Sequence, residues 1–342
     1  MKELTALERV INAIELRDVD RIPVVPQLTY AAGYFINLEI DAALADFAKQ
    51  KIALLNSQRL GGYDGIYAGW DGSFVLITSS LGGSLKTYPD KPPAIDKPLI
   101  ANKEDLEKLP ALDPTKHGRI PQNLQLIRAL KAETKDVPIF SYTASPFTLA
   151  SLILGINQFM IALMRDKLNI LDDLLQYCYQ TTLKFAQAKI EAGVDMISIA
   201  DPSGSSDLVS PKLFEQRSFP LLKKLITTLK KSGKKIGLHI CGQTKPILLK
   251  MAETGADYLE IDTKVDLQEA QEMLQGKVCL IGNIFSTDLA FKPAQEIKQQ
   301  CKELLEKIKS GFILSSGCEV SYSTPLVNIQ AMVEAAKEFG NI

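Results

Sequence analysis

Short apolar runs alternate along this chain with longer stretches in which apolar residues recur every three to four positions, and the alternation repeats eight times. That rhythm is the pattern of βα units arranged around a parallel sheet. It predicts strands at 21–26, 65–68, 137–142, 195–200, 235–240, 257–261, 277–282 and 311–315. Helices are predicted at about 4–16, 42–60, 122–134, 146–163, 167–192, 211–232, 244–254, 266–275, 294–309 and 325–339. Gly193, Gly233, Gly255, Gly276 and Gly311 fall where a helix must stop and a strand begin, as left-handed helix ends require.

Eight such units in a chain of 342 residues predict a (β/α)8 TIM barrel, in which reactive groups collect where the strands emerge at their C-terminal ends. Several polar residues stand at such places: Asp201 after 195–200, His239 and Cys241 at the end of 235–240, Glu260 and Asp262 at 257–261, Asn283 after 277–282 and Cys318 after 311–315. A doubly wound open sheet is the competitor, but no Gly-x-Gly-x-x-Gly follows the first strand. Residues 70–121 hold few clean elements and seven prolines, and are expected to be an elaborated connection near the barrel mouth. The whole chain, 1–342, is thus expected to form a single domain, with residues 1–20 carrying an N-terminal helix.

Composition narrows the function classes. A 46% hydrophobic content supports a large core, and 39 Lys+Arg against 40 Asp+Glu leave a net charge of −1. No long-range field draws nucleic acid or anionic lipid. No stretch stays apolar for about 18 residues and the first residues lack a signal-peptide core, so the expected location is the cytoplasm, with no membrane partner. Five cysteines at irregular spacing argue for reduced thiols rather than a disulfide framework.

The chemistry concentrates in His239-Ile240-Cys241-Gly242 and Ser315-Ser316-Gly317-Cys318. Residues two apart on a strand point to one side, so His239 and Cys241 project together, and Cys318 closes a second strand in the same way. One imidazole and two thiolates match the ligands zinc takes when one position stays open for substrate. Taken singly, His239 and Cys241 read more readily as buried core residues; it is Cys318 at the end of another strand, together with the resemblance given below, that turns the reading to a metal. Cys178, Cys279 and Cys301 lie inside predicted elements and read as core, and His117 reads as a loop residue. Asp201 is placed either to orient substrate or His239, or to cap the turn that follows it. Asn283 suits a polar substrate end or loop backbone; Tyr142 and Tyr322 are candidates for the mouth, although aromatic residues often simply pack.

The motifs Thr5-Ala6-Leu7-Glu8-Arg9-Val10, Asp20-Arg21-Ile22-Pro23-Val24, Ser145-Pro146-Phe147-Thr148-Leu149-Ala150, His239-Ile240-Cys241-Gly242, Gly282-Asn283-Ile284, Ser316-Gly317-Cys318 and Thr324-Pro325-Leu326-Val327-Asn328 resemble the uroporphyrinogen decarboxylase superfamily from end to end. Its decarboxylases carry an Arg-rich segment after the first strand, since a polycarboxylate substrate needs guanidinium clamps. Here the stretch from Val25 to Gly33 has no basic residue. The His-x-Cys pair and the later Gly-Cys instead resemble the zinc-dependent corrinoid methyltransferase branch.

That resemblance implies zinc held by His239, Cys241 and Cys318, with Asp262, or its neighbour Glu260, filling the fourth position before substrate arrives. It implies transfer of a methyl group from a methylated corrinoid (cobalamin) to a small thiol such as coenzyme M, homocysteine or, less suited to zinc, the nitrogen of tetrahydrofolate. The chain lacks the Asp-x-His-x-x-Gly signature of cobalamin binding, so the corrinoid is expected on a separate corrinoid-binding protein docked over the mouth. Asp262 and Asp201 are the expected catalytic residues, and Asn283, Tyr142 and Tyr322 the expected cofactor contacts. The family also implies a homodimer. The rival functions are a uroporphyrinogen decarboxylase and a non-catalytic zinc subunit of a corrinoid complex.

Overall fold

The computed structural model describes residues 3–44, 46–69, 72–165 and 169–341. The parts of the expected domain, of the predicted helices 42–60 and 167–192, and of the connection 70–121 that fall on residues 1, 2, 45, 70, 71, 166–168 and 342 lie outside the described residues.

Nine strands occur among the described residues: β1 (Ile66–Tyr67), β2 (Leu85–Lys86), β3 (Ala94–Ile95), β4 (Ile139–Ala144), β5 (Met196–Ala200), β6 (Lys235–Ile240), β7 (Tyr258–Ile261), β8 (Cys279–Ile284) and β9 (Phe312–Ser316). β2 and β3 pair antiparallel, and the other seven form one parallel sheet in chain order. The predicted strand at 21–26 supplies the eighth position. Val24 bridges Leu314 in parallel, Leu314 N donates to Pro23 O at 2.9 Å, and Asp64 N donates to Val24 O at 2.6 Å on the other side. Pro23 and Pro26 have no N–H to give, which keeps this ladder to a single bridge. The sheet therefore closes on itself as a (β/α)8 barrel, and the open-sheet alternative is excluded.

Phe140, Met196, Tyr258, Cys279 and Ile313 sit at or near the first residue of their strands and pack, fully buried, with Val10, Ala13 and Ile14 of the N-terminal helix Ala6–Ile14. That helix covers the end of the barrel opposite the polar residues. It begins with a capping box, Glu8 N donating to Thr5 Oγ1 at 3.2 Å and Thr5 N to Glu8 Oε2 at 2.9 Å, which explains the Thr5-to-Glu8 motif.

Its Arg9 is anchored by Asp64 at 2.8 Å and Asp20 at 2.6 Å, while Arg21 Nη1 meets Asp64 at 2.7 Å and Val24 N donates to the same carboxylate at 2.8 Å. Burial raises the Asp20 carboxyl, but hydrogen bonds from Arg9 and Leu4 N outweigh it and hold the pKa at about 2. One carboxylate, Asp64, thus ties the helix to the closing strand. Asp64→Ala strips the shared acceptor from two arginines, one of them buried, and is expected to cost about 3 kcal/mol in urea unfolding. Lys86→Ala, which breaks an exposed pair with Asp96, should leave the urea midpoint nearly unchanged. Equal losses would show that Asp64 is not the tie.

Two departures from the predicted elements have local causes. The helix expected over 146–163 is two, Pro146–Leu154 and Ile156–Met164, bent by 112° at Gly155, whose φ is +83°. Within 70–121 lie the helices Gly72–Ser80 and Lys103–Lys108 and the β2/β3 pair; these pieces are too short, or too uniformly apolar, to show a period. No single helix among the described residues is long and apolar enough to cross a membrane.

Candidate active site

The register of the sheet assembles the polar group. His239 of β6 stands between Ala200 of β5 and Glu260 of β7, and Cys241 follows one residue past the strand end. Cys318 arrives two residues beyond β9. His239 Nε2 lies 2.9 Å from Cys241 Sγ, which lies 3.4 Å from Cys318 Sγ, and one ligand atom from each of the three residues falls within 4.8 Å of the others.

Each cysteine is set by an adjacent glycine. A Cβ on Gly242, at φ +82°, would meet Asp207 Oδ2 at 2.2 Å; one on Gly317 would meet Thr263 N at 2.7 Å. Side chains at either place would push the thiols off the cluster. The two sulfurs influence each other strongly: the hydrogen bond between them, backed by His239, pushes the Cys318 thiol well down, and the same contact with burial pushes Cys241 up. Burial opposes a charge on His239, but Cys318 and Glu260 outweigh it and raise its pKa above the ordinary value.

Behind the imidazole, Glu260 is fully buried. Its carboxylate accepts from Tyr142 Oη at 2.7 Å, Tyr67 Oη at 3.0 Å, Ser198 Oγ at 2.5 Å and Gln27 Nε2 at 3.2 Å. Its Oε2 stands 3.4 Å from His239 Nδ1, a buried nitrogen with no hydrogen bond of its own. Burial and then the Glu260 charge push the phenols of Tyr67, Tyr142 and Tyr258 far up, so they remain donors. The arrangement fixes the ring from Nδ1 and leaves Nε2 toward the thiols.

In front of the cluster opens a cavity of about 270 Å³, lined by His239, Cys241 and Cys318, by Gln27, Thr29, Tyr142 and Glu319, and by an apolar wall that includes Tyr30, Phe74, Val75, Pro92, Pro93 and Pro202. Phe74, Val75, Pro92 and Pro93 come from the connection expected at the mouth. Glu319 escaped sequence reasoning. It contacts Thr29 Oγ1, and burial, then the charge of Cys318, pushes its carboxyl up to about 8. The signal was an acidic residue directly after a candidate ligand, in Gly317-Cys318-Glu319.

Other expected site residues have different surroundings. Asp262 does not join the donor group: its Oδ1 accepts from Lys264 N at 2.9 Å and closes its own turn. Asp201 is fully buried, accepting from Ser145, from Thr148 Oγ1 at 2.7 Å and from Ser218 Oγ at 2.5 Å. It locks the start of helix Pro146–Leu154, which Ser145 caps through Thr148 N at 2.9 Å, and touches His239 only through backbone, Asp201 N donating to His239 O at 2.8 Å. Its neighbours Ala200 and Pro202 line the cavity described above, while Asp201 is not among the lining residues. Asn283 Nδ2 donates to Asp262 O at 3.1 Å and Val265 O at 2.8 Å, so its amide holds loop backbone. Tyr322 donates to Leu38 O at 3.1 Å and packs edge-on to Tyr34 beside the cavity, whereas Tyr142 lines it. Cys178, Cys279 and Cys301 are buried in the core, and His117 Nδ1 accepts from Asp113 N at 3.3 Å.

The sequence model of the family described as uroporphyrinogen decarboxylase (URO-D) matches residues 5–339. The chain belongs to this family. Within it, the chain is 28% identical over 353 residues to a methylcobamide:CoM methyltransferase, MtbA, of Methanosarcina acetivorans, covering 99% of both chains. A uroporphyrinogen decarboxylase of Carboxydothermus hydrogenoformans is 26% identical over 276 residues, 78% of this chain and 77% of that one. The solved structure of a methyltransferase from Methanosarcina mazei superposes with a TM-score of 0.90 at 26% identity, over 98% of this chain and 99% of that one. The likeness to methyltransferases runs the whole length, and the fold is that of the family.

Proposed function

We propose that this chain is a zinc-dependent methyltransferase that moves a methyl group from a methylated corrinoid, carried by a separate protein, to a thiol. The observation that carries the reading is the convergence of His239, Cys241 and Cys318 at the floor of the mouth cavity. These residues fit zinc: the donors are one imidazole and two thiols, the buried Nδ1 of His239 faces Glu260 as a second support, and the remaining side of the cluster opens into the cavity. Zinc held there would supply a Lewis acid that keeps an incoming thiol deprotonated near neutral pH.

The residues around it do the rest. Glu260 orients the imidazole of His239. Phe74, Val75, Pro92, Pro93 and Pro202 exclude water from the sulfur and from the approaching methyl carbon. Transfer forms a carbon–sulfur bond and breaks the cobalt–carbon bond, whose electron pair stays on cobalt as cobalt(I), while the thiol proton leaves to solvent. The decarboxylase reading meets a physical obstacle, because none of the described residues lining the cavity is Lys or Arg, and a polycarboxylate would be buried without counter-ions.

The test is the absorbance of methylcobalamin mixed with the zinc-loaded protein and a thiol panel, alongside uroporphyrinogen followed by chromatography. The expected result is thiol-dependent loss of the methylcobalamin spectrum that chelation abolishes, with uroporphyrinogen unchanged. Decarboxylation of uroporphyrinogen, or no thiol-dependent change, would overturn the proposal.

A further inference from the structure

The acceptor side of the cavity has a chemical character of its own. Among the described lining residues, the polar ones besides the metal-facing group are Gln27, Thr29, Tyr142, Glu319 and the phenol of Tyr30, and the others are apolar. Lys264 and Lys245, outside this lining, are paired with carboxylates, Lys264 Nζ 2.8 Å from Asp207 and Lys245 Nζ 2.6 Å from Glu269. The acidic side chains nearest it are Glu260, behind His239, and Glu319, in the wall.

A small thiol whose far end is a sulfonate or carboxylate would bring an anion into this apolar space with no Lys or Arg among the described lining residues to pair it. An anion buried without a counter-ion loses its hydration uncompensated, whereas an alkyl end is driven into such a space by leaving water. We infer that the acceptor is a thiol with an uncharged, apolar body rather than an anionic thiol such as coenzyme M. This inference rests on the proposed methyl transfer to a thiol. It assigns Phe74, Val75, Pro92 and Pro93 as the residues that select the substrate.

The experiment compares 1-propanethiol with 2-mercaptoethanesulfonate, two thiols of similar length and opposite character, using zinc-loaded full-length protein and methylcobalamin. Calorimetric binding of each thiol to the zinc-loaded protein supplies a second readout that needs no turnover. Propanethiol should show a kcat/KM at least about tenfold higher and a correspondingly lower Kd. Val75→Lys, which sets an ammonium in the lining, should reverse the preference by raising the sulfonate's affinity at least about tenfold without raising propanethiol's. If methyl transfer proceeds and the sulfonate is equal or better in wild type, the inference falls while the proposed function stands. If no thiol is methylated, the function itself fails and the inference with it.

Discussion

Replacing Cys241 or Cys318 with alanine is expected to remove zinc and methyl transfer together while leaving the barrel folded. Structural zinc sites contribute on the order of 10–16 kcal/mol through about four ligands, so one thiolate accounts for roughly 3 kcal/mol, or about 100-fold in zinc affinity. Both sulfurs sit just past strand ends, partly exposed to the cavity rather than packed in the core, so their loss opens no core void. Cys279→Ala is the converse control. That thiol is fully buried near the start of the barrel, and its removal should lower stability by about 1 kcal/mol without changing zinc content. Metal analysis after dialysis and thermal unfolding read the two effects separately. An alanine variant at 241 or 318 that retains zinc with wild-type affinity would break the link between these thiols and the metal.

Glu260→Gln should weaken zinc binding by about 10- to 100-fold with little loss of stability, the range found for groups that orient a metal-bound histidine. Glutamine keeps the shape, and the hydroxyls of Tyr67, Tyr142 and Ser198 can turn from donors to acceptors for its amide. What is lost is the anionic support at His239 Nδ1. Glu260→Ala removes the acceptor of four buried donors as well and is expected to destabilise by several kcal/mol. Zinc titration with a competing chelator, run beside urea unfolding, separates orientation from packing. If Glu260→Gln binds zinc like the wild type, the residue serves only the core.

The barrel was legible because parallel strands buried on both faces read as apolar runs, and those at 235–240 and 195–200 are copied almost residue for residue in β6 and β5. The strand at 21–26 was legible as apolar although its two prolines prevent a full ladder. The trio His239, Cys241 and Cys318 could be read from strand ends, where side-chain alternation fixes which residues project together, joined to the family resemblance. What the pattern could not show was where polar groups spend their hydrogen bonds. Asp201, Asn283 and Asp262 have the composition of site residues, yet their oxygens and amides hold the helix start and loops that shape the mouth. Glu260 lies on β7 and Asp262 one residue past its end, and the sequence alone does not rank them; the register against His239 puts Glu260 behind the imidazole. Glu319 enters the cavity through the turn after Gly317, which periodicity does not describe.

The most direct measurement is zinc stoichiometry joined to X-ray absorption at the zinc edge on protein purified without chelators. One zinc per chain is expected, bound by two sulfurs and one imidazole nitrogen, with a further sulfur appearing when an acceptor thiol is added. Protein that holds no zinc under these conditions, or zinc bound without sulfur, would contradict the assignment.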